Sequence, residues 1–260
     1  PKKLKNTVFP FNYNNFNNLQ KIIKEKDIGV IKMEVIRNVE PDDDFIYKIR
    51  DICNKKNIVL IFDECTSGFR KNFGGYYKNF NINPDMITYG KAIANGYPLT
   101  SIVGKRNIME HANQSFISST FWTDRIGYVA SLKTLKEMEK VKSWITISKI
   151  GRKIKNKWLK LANKYELNID ISGIDALPIF RLPYKNWLKY KTYITQCMLE
   201  KNILATNSIY VCIYHDDKRI NHYFNILDKI FFDIKKFEEG ENIDYYLKTN
   251  ISQSSFQRLN

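Results

Sequence analysis

Cysteine is scarce, and none of it is paired by spacing. Cys53, Cys65, Cys197 and Cys212 are scattered through 260 residues with no CxxC pattern. Disulfide frameworks and cysteine-based zinc sites show closer, repeated spacings, so the four thiols are read as reduced, as in a cytoplasm. No uninterrupted apolar run approaches the roughly 20 residues that a membrane-spanning helix needs. The N-terminal stretch has no apolar core of a secretion signal. Internal repeats are lacking too. These absences predict a soluble, cytoplasmic chain with no metal site and no membrane partner.

Acidic residues are also in deficit: 42 Lys+Arg stand against 27 Asp+Glu, a net charge of +15. A basic excess is one route to nucleic acid. Here the lysines are spread among asparagines and isoleucines, as in "FNYNNFNNLQKIIKEK", and form no single stripe or aromatic–basic motif. No nucleic-acid partner is therefore expected, and a basic binding module stays as the remote alternative. With 43% hydrophobic residues the chain is globular, and it is long enough for a full core in one or two domains.

Strand and helix patterns alternate in the first half. "IGVIKMEV" (28–35) reads as a mostly buried strand. "EPDDDFIYKIRDICNKKN" reads as a helix with acids in its first turn and Phe45, Ile46, Ile49 and Ile52 at helical spacing. "IVLIFDE" (58–64) is a continuous apolar run, the mark of a central parallel strand covered on both faces. "DMITYG" and "TSIVG" are two further short strands. Strand–helix–strand order predicts an α/β domain over 1–150 with a mostly parallel sheet. From Arg125 to Tyr165 the pattern is helical. Beyond it, "NIDISG", "ALPIFRLP", "ILAT" and "YVCIY" are short strand candidates between two helical stretches, predicting a small C-terminal α+β domain over 151–247. Residues 248–260 read as a frayed polar tail.

The apolar run ends in Asp63 and Glu64, and Lys91 follows in a Gly-containing segment 28 residues after Asp63 (91 − 63). In an open parallel sheet, ligands bind at the carboxyl ends of the strands. An isolated "DE" there is an ordinary strand-end pair. An acid and a lysine converging on one crevice suit an electrophilic cofactor: the lysine forms a Schiff base and the acid holds a ring nitrogen protonated.

Three stretches in order, "LIFDECTSGFR", "NPDMITYGKAIANGYPLTSIVGKRNIME" and "SSTFWTDRIG", resemble the class III aminotransferases of fold type I. The similarity is to the branch that includes glutamate-1-semialdehyde aminomutase and aminotransferases of surface-polysaccharide pathways. It implies a pyridoxal 5'-phosphate enzyme with a large-domain sheet carrying the Schiff-base lysine, a small C-terminal domain and a homodimeric assembly. By that resemblance Lys91 carries the internal aldimine and shuttles the proton, and Asp63 pairs with the pyridine nitrogen. Cys65 stands where a Val packs on the ring, and Thr66 where a Gln or Met lies near the ring hydroxyl. Thr120 aligns with the Thr that reaches the cofactor phosphate, usually of the neighbouring subunit. Glu34 falls beside the substrate. Trp122 and His215 are further candidates for substrate binding. A small-molecule amino donor and a carbonyl acceptor are the implied partners.

The chain departs from the family pattern. After Thr120 it reads "FWTDR", and "YVCIYHDDKRI" stands where many members have an Arg for a substrate carboxylate. A sugar aldehyde or ketone thus joins glutamate-1-semialdehyde-like substrates as an expectation. The family's phosphate loop and ring-stacking aromatic lie upstream of "VIKMEVIRN". Three readings stay open: an aminotransferase or aminomutase that works with a separate N-terminal half, a truncated inactive fragment, or the basic binding module.

Overall fold

The computed structural model describes residues 2–42, 44–118, 120 and 123–253. They form two compact units, one ending at Trp144 and the other beginning at Ile145.

In the first unit the order is α1 (Phe16–Glu25), β1 (Val30–Glu34), α2 (Phe45–Lys56), β2 (Val59–Asp63), β3 (Met86–Tyr89), β4 (Ser101–Gly104), a one-turn α3 (Arg106–Met109) and α4 (Arg125–Val141). The sheet order is β1-β2-β3-β4. The first three strands run parallel, and β4 pairs antiparallel with β3. Because successive side chains on a strand alternate faces, the register sorts the residues into two rows. Ile31, Met33, Leu60, Phe62, Ile87 and Tyr89 share one face and are all buried. Phe45, Ile46, Ile49 and Cys53 of α2 are buried at helical spacing.

The other face is a correction to the expectation of a strand covered on both sides. Val59, Ile61 and Asp63 are only partly buried, and Val30 and Ile102 on the same face are 53% and 55% exposed. Burial stops at one layer because the α2 side supplies the apolar partners while the opposite row stands open. The acids at 40–44 are a second correction. The helix starts at Phe45 with no acid in its first turn, and Asp44 caps nothing with its side chain. Asp42 instead pairs with Asn14, accepting from Asn14 Nδ2 at 3.0 Å while its own N–H donates to Asn14 Oδ1 at 3.1 Å. The turn before the helix is closed by backbone, with Phe45 N–H donating to Asp42 O at 3.0 Å, while the Asp42 side chain ties it to the residues before α1.

The second unit holds most of α5 (Ser143–Lys164), then β5 (Asp170–Ser172), β6 (Ile179–Arg181), α6 (Trp187–Glu200) and α7 (Asp217–Glu238). The two strands form an antiparallel pair. Its core is aromatic: Trp158, Phe180, Tyr190 and Phe231 are fully buried, and the Trp158 and Phe180 rings lie 4.8 Å apart. Trp158 Nε1 donates to Tyr223 Oη at 3.1 Å, which satisfies a buried indole. "ILAT" and "YVCIY" are not strands. The segment 207–211 runs antiparallel to 176–180, with Phe180 N–H to Asn207 O, Ile209 N–H to Pro178 O and Val211 N–H to Ala176 O, and forms one isolated bridge, Ile179 to Ser208, without becoming a strand. Nor is the chain frayed from Lys248 to Ser252. Lys248 N–H donates to Gln196 Oε1 and Ser252 N–H to Thr192 Oγ1, tying both to α6.

Gly151 lies inside α5, where a Cβ would sit 1.6 Å from the Asp175 carbonyl oxygen. Alanine is the better helix former by about 1 kcal/mol. Gly151→Ala is nonetheless expected to lower stability by about 1–3 kcal/mol, because the clash is with backbone. Urea unfolding measures it, and an unchanged or higher midpoint would show that the Asp175 turn yields freely.

Candidate active site

The site is assembled by register. Glu34, Asp63 and Thr88 lie side by side at the carboxyl ends of β1, β2 and β3, and all three project on the open face. Chain order alone separates them by up to 54 residues (88 − 34).

Asp63 and Glu64 part company there. Glu64 turns inward and is fully buried; Ser67 Oγ donates to its Oε2, and Tyr77 N–H donates to its Oε1 at 2.9 Å. Burial holds the Glu64 carboxyl above the ordinary range, with those two donors offsetting it in part. Glu64 thus pins the 75–77 turn, which explains one of the two acids structurally. Asp63 stays at the surface of the site. Its Oδ2 accepts from Lys32 Nζ at 2.6 Å and its Oδ1 from Cys65 N–H at 3.1 Å. Burial pushes the Asp63 carboxyl up, but Lys32 and the Cys65 donor outweigh it, so the group lies below the usual value.

Lys91 follows β3 directly after Gly90. Its backbone φ is +46°, in the left-handed region, while its N-cap Gly90 is extended. A non-glycine residue there costs roughly 1–2 kcal/mol, and such strain gathers where a side chain must be aimed. Lys91 Nζ donates to Thr66 Oγ1 at 2.6 Å. The same hydroxyl accepts from Arg37 Nη1 at 2.6 Å, and Arg37 Nη1 also bonds Glu34 Oε1 at 3.1 Å. Glu34, Arg37, Thr66 and Lys91 therefore form one hydrogen-bonded chain across the strand ends. Cys65 lies near both Asp63 and Lys91, and burial pushes its thiol up. Its sulfur is 3.8 Å from Thr88 Oγ1.

The structure thus brings together Glu34, Asp63, Cys65, Thr66 and Lys91. Thr120 is exposed, on the connection before α4. Trp122 lies outside the described residues. His215 belongs to the second unit, where it lines a cleft with Ile154, Tyr210, Arg219 and His222. Its Nδ1 accepts from Cys212 N–H at 3.4 Å, and burial, then the Arg219 charge, pulls its imidazole below the ordinary value. Two residues escaped the sequence reading, Lys32 and Arg37. Lys32 carried a signal, a lysine two places before Glu34 and so on the same strand face. Arg37 lies beyond the strand, where no periodicity applies.

The donor set is an amine, a carboxylate paired with a half-exposed lysine, and hydroxyls at the mouth of a parallel sheet. It fits a cofactor that presents an aldehyde and a basic ring nitrogen. Among the described residues no group of three or more His, Cys, Asp or Glu side chains is placed to hold a metal ion. Nor is any helix there long and apolar enough to cross a membrane.

The chain is 28% identical over 251 residues to 3-aminobutyryl-CoA aminotransferase of Cloacimonas acidaminovorans, covering 91% of this chain and 60% of that protein. It is 37% identical over 147 residues to glutamate-1-semialdehyde 2,1-aminomutase of Sulfolobus acidocaldarius, covering 54% of this chain and 35% of that enzyme. The FumI protein of Sphingopyxis sp. MTA144, solved in its PLP internal aldimine form, superposes with a TM-score of 0.82 at 17% identity, over 91% of this chain and 60% of FumI. An omega-transaminase from Sphaerobacter thermophilus gives 0.80 at 15%, over 90% and 59%. These likenesses show the fold, that of the fold-type I transaminases. The chain spans about three-fifths of the length of the first of these relatives and of both solved structures. A family model described as Aminotransferase class-III matches residues 13–193, more than half of the sequence and the whole of the strand-end cluster, and the chain belongs to that family.

Proposed function

We propose that the chain supplies the lysine and the acid of a pyridoxal-phosphate-dependent aminotransferase or aminomutase. The observation that carries this is the row Glu34–Asp63–Thr88, with Lys91 joined to the same strand ends through Thr66. When bound, the cofactor supplies an aldehyde and a protonated ring that accepts the electron pair of a substrate carbon. Lys91 Nζ is the covalent anchor in this reading. As a free amine, Lys91 Nζ would move a proton at the substrate carbon, a task typically worth about 10²–10⁴-fold. Asp63 holds the ring nitrogen in its protonated form. Each pKa unit by which it does so is about 1.4 kcal/mol. Thr66 orients Lys91, and Cys65 flanks the ring.

The substrates in this reading are a small amino donor and an aldehyde or ketone, glutamate-1-semialdehyde-like or a sugar intermediate. The aminomutase relative supports the first. The half-exposed face beside Lys91 supports a site completed by further protein: a second copy of this chain, with Thr120 reaching across, or a polypeptide matching the part of the relatives that this chain does not span. The test is borohydride reduction of the chain with pyridoxal phosphate, followed by peptide mapping. A pyridoxyl label on Lys91 above all other lysines is expected. Uniform low labelling across many lysines would remove Lys91 from the site.

A further inference from the structure

We infer that Lys32 is a positioning residue that competes with a bound cofactor for Asp63, so that the chain holds a ring with a basic nitrogen less tightly than Asp63 alone would. The inference rests on the proposed function and concerns a residue which that reading does not use. Alternation along β1 puts Lys32 on the face of Glu34, and the register sets it opposite Ile61, one diagonal step from Asp63. From there its ammonium reaches Asp63 Oδ2 at 2.6 Å. Asp63 Oδ1 is taken by Cys65 N–H. Both oxygens are thus engaged, one of them by a full positive charge.

A protonated ring nitrogen is a second cation seeking the same carboxylate. Like charges drawn to one acid disfavour each other at short range. The two partners are not equally free to leave. The Lys32 side chain is 56% exposed and that of Asp63 only 22%. Lys32 can swing to water while Asp63 stays, so binding proceeds by exchange of one cation for another. A half-exposed ion pair is weak, which limits the penalty to about fivefold in affinity. The role is electrostatic, and what matters at position 32 is the charge.

The experiment titrates the full chain with pyridoxal phosphate, reading the dissociation constant from absorbance, for the wild type, Lys32→Met, Lys32→Gln and Lys32→Arg. Each is also titrated with the analogue that carries CH in place of the ring nitrogen. Lys32→Met and Lys32→Gln should bind pyridoxal phosphate about fivefold more tightly, and Lys32→Arg should match the wild type. None of the four should differ with the analogue, which has no nitrogen for Asp63 to hold. The Gln variant guards against a folding defect of the Met variant. Unchanged affinity in both neutral variants, with Lys91 labelled by borohydride, would overturn the inference alone. An equal gain with the analogue would do the same, since Asp63 would not be the point of competition. Absence of label at Lys91 in every variant would overturn the proposed function and this inference together.

Discussion

Asp63→Asn should leave the borohydride label on Lys91 and lower amino transfer by about 10²-fold or more. In the proposed reading Lys91 needs only its own amine to form the covalent link, and its hydrogen bond runs to Thr66, not to Asp63. The proton on the ring nitrogen is different. A carboxamide carries no charge to hold it, and two pKa units of lost support correspond to about 2.7 kcal/mol, or two orders of magnitude. The fold should survive, because the ion pair that is lost joins Asp63 to a half-exposed lysine and is worth at most about 1 kcal/mol. The measurement is single-turnover amino transfer at saturating cofactor, in the assembly that gives wild-type turnover, alongside the label. Near-normal turnover with intact labelling would take Asp63 out of the mechanism.

The largest expected loss of stability comes from a different acid. Asp85 is 7% exposed and ties three parts of the first unit together. Its Oδ2 accepts from Leu60 N–H at 2.8 Å and from Arg50 Nη1 of α2 at 2.9 Å, and its Oδ1 accepts from Lys105 Nζ beyond β4 at 2.7 Å. Arg50 is itself well covered, and its Nε has no hydrogen-bond partner among the described residues. Removing one member of such a buried pair costs about 3–5 kcal/mol, because the other charge is left without compensation. Asp85→Ala is therefore expected to unfold at markedly lower urea.

The pH dependence has a definite sign. Burial pushes the Asp85 carboxyl up, but the Leu60, Lys105 and Arg50 donors outweigh it, and the group lies below the ordinary value. A depressed carboxyl contributes stability above its unfolded value of about 3.9 and loses it as the pH falls through the folded one. The gap between wild type and Asp85→Ala should be full at neutral pH and close progressively below about pH 4. Urea midpoints across that range measure it. A gap of constant size would show that packing, not charge, sets the cost.

Most elements of the first unit, and the chemical ingredients of the site, can be read from local sequence. The β-branched run before Asp63, the amphipathic spacing of Phe45, Ile46 and Ile49, and the placing of Lys91 behind a short strand all rest on local preferences. Each is written in neighbouring residues and needs no distant partner to be read. The apolar spacing of α7 is legible for the same reason: Leu227, Phe231 and Ile234 fall on one side of any helix built from that stretch. Tertiary structure decided what local pattern cannot encode. Two adjacent acids look equivalent in the sequence, and only the alternation of a paired strand sends Glu64 into the interior and leaves Asp63 at the mouth. Glu34 and Thr88 flank Asp63 only through strand register. Lys32 finds Asp63, and Arg37 finds Thr66, across strand-to-strand distances that chain separation does not record. The extended segment 207–211 has strand-like composition yet forms only one bridge, Ile179 to Ser208, because β6 is three residues long and offers it little to pair with. Propensity acts within a few residues, whereas register, burial and charge pairing are properties of surfaces that meet only after the chain has folded.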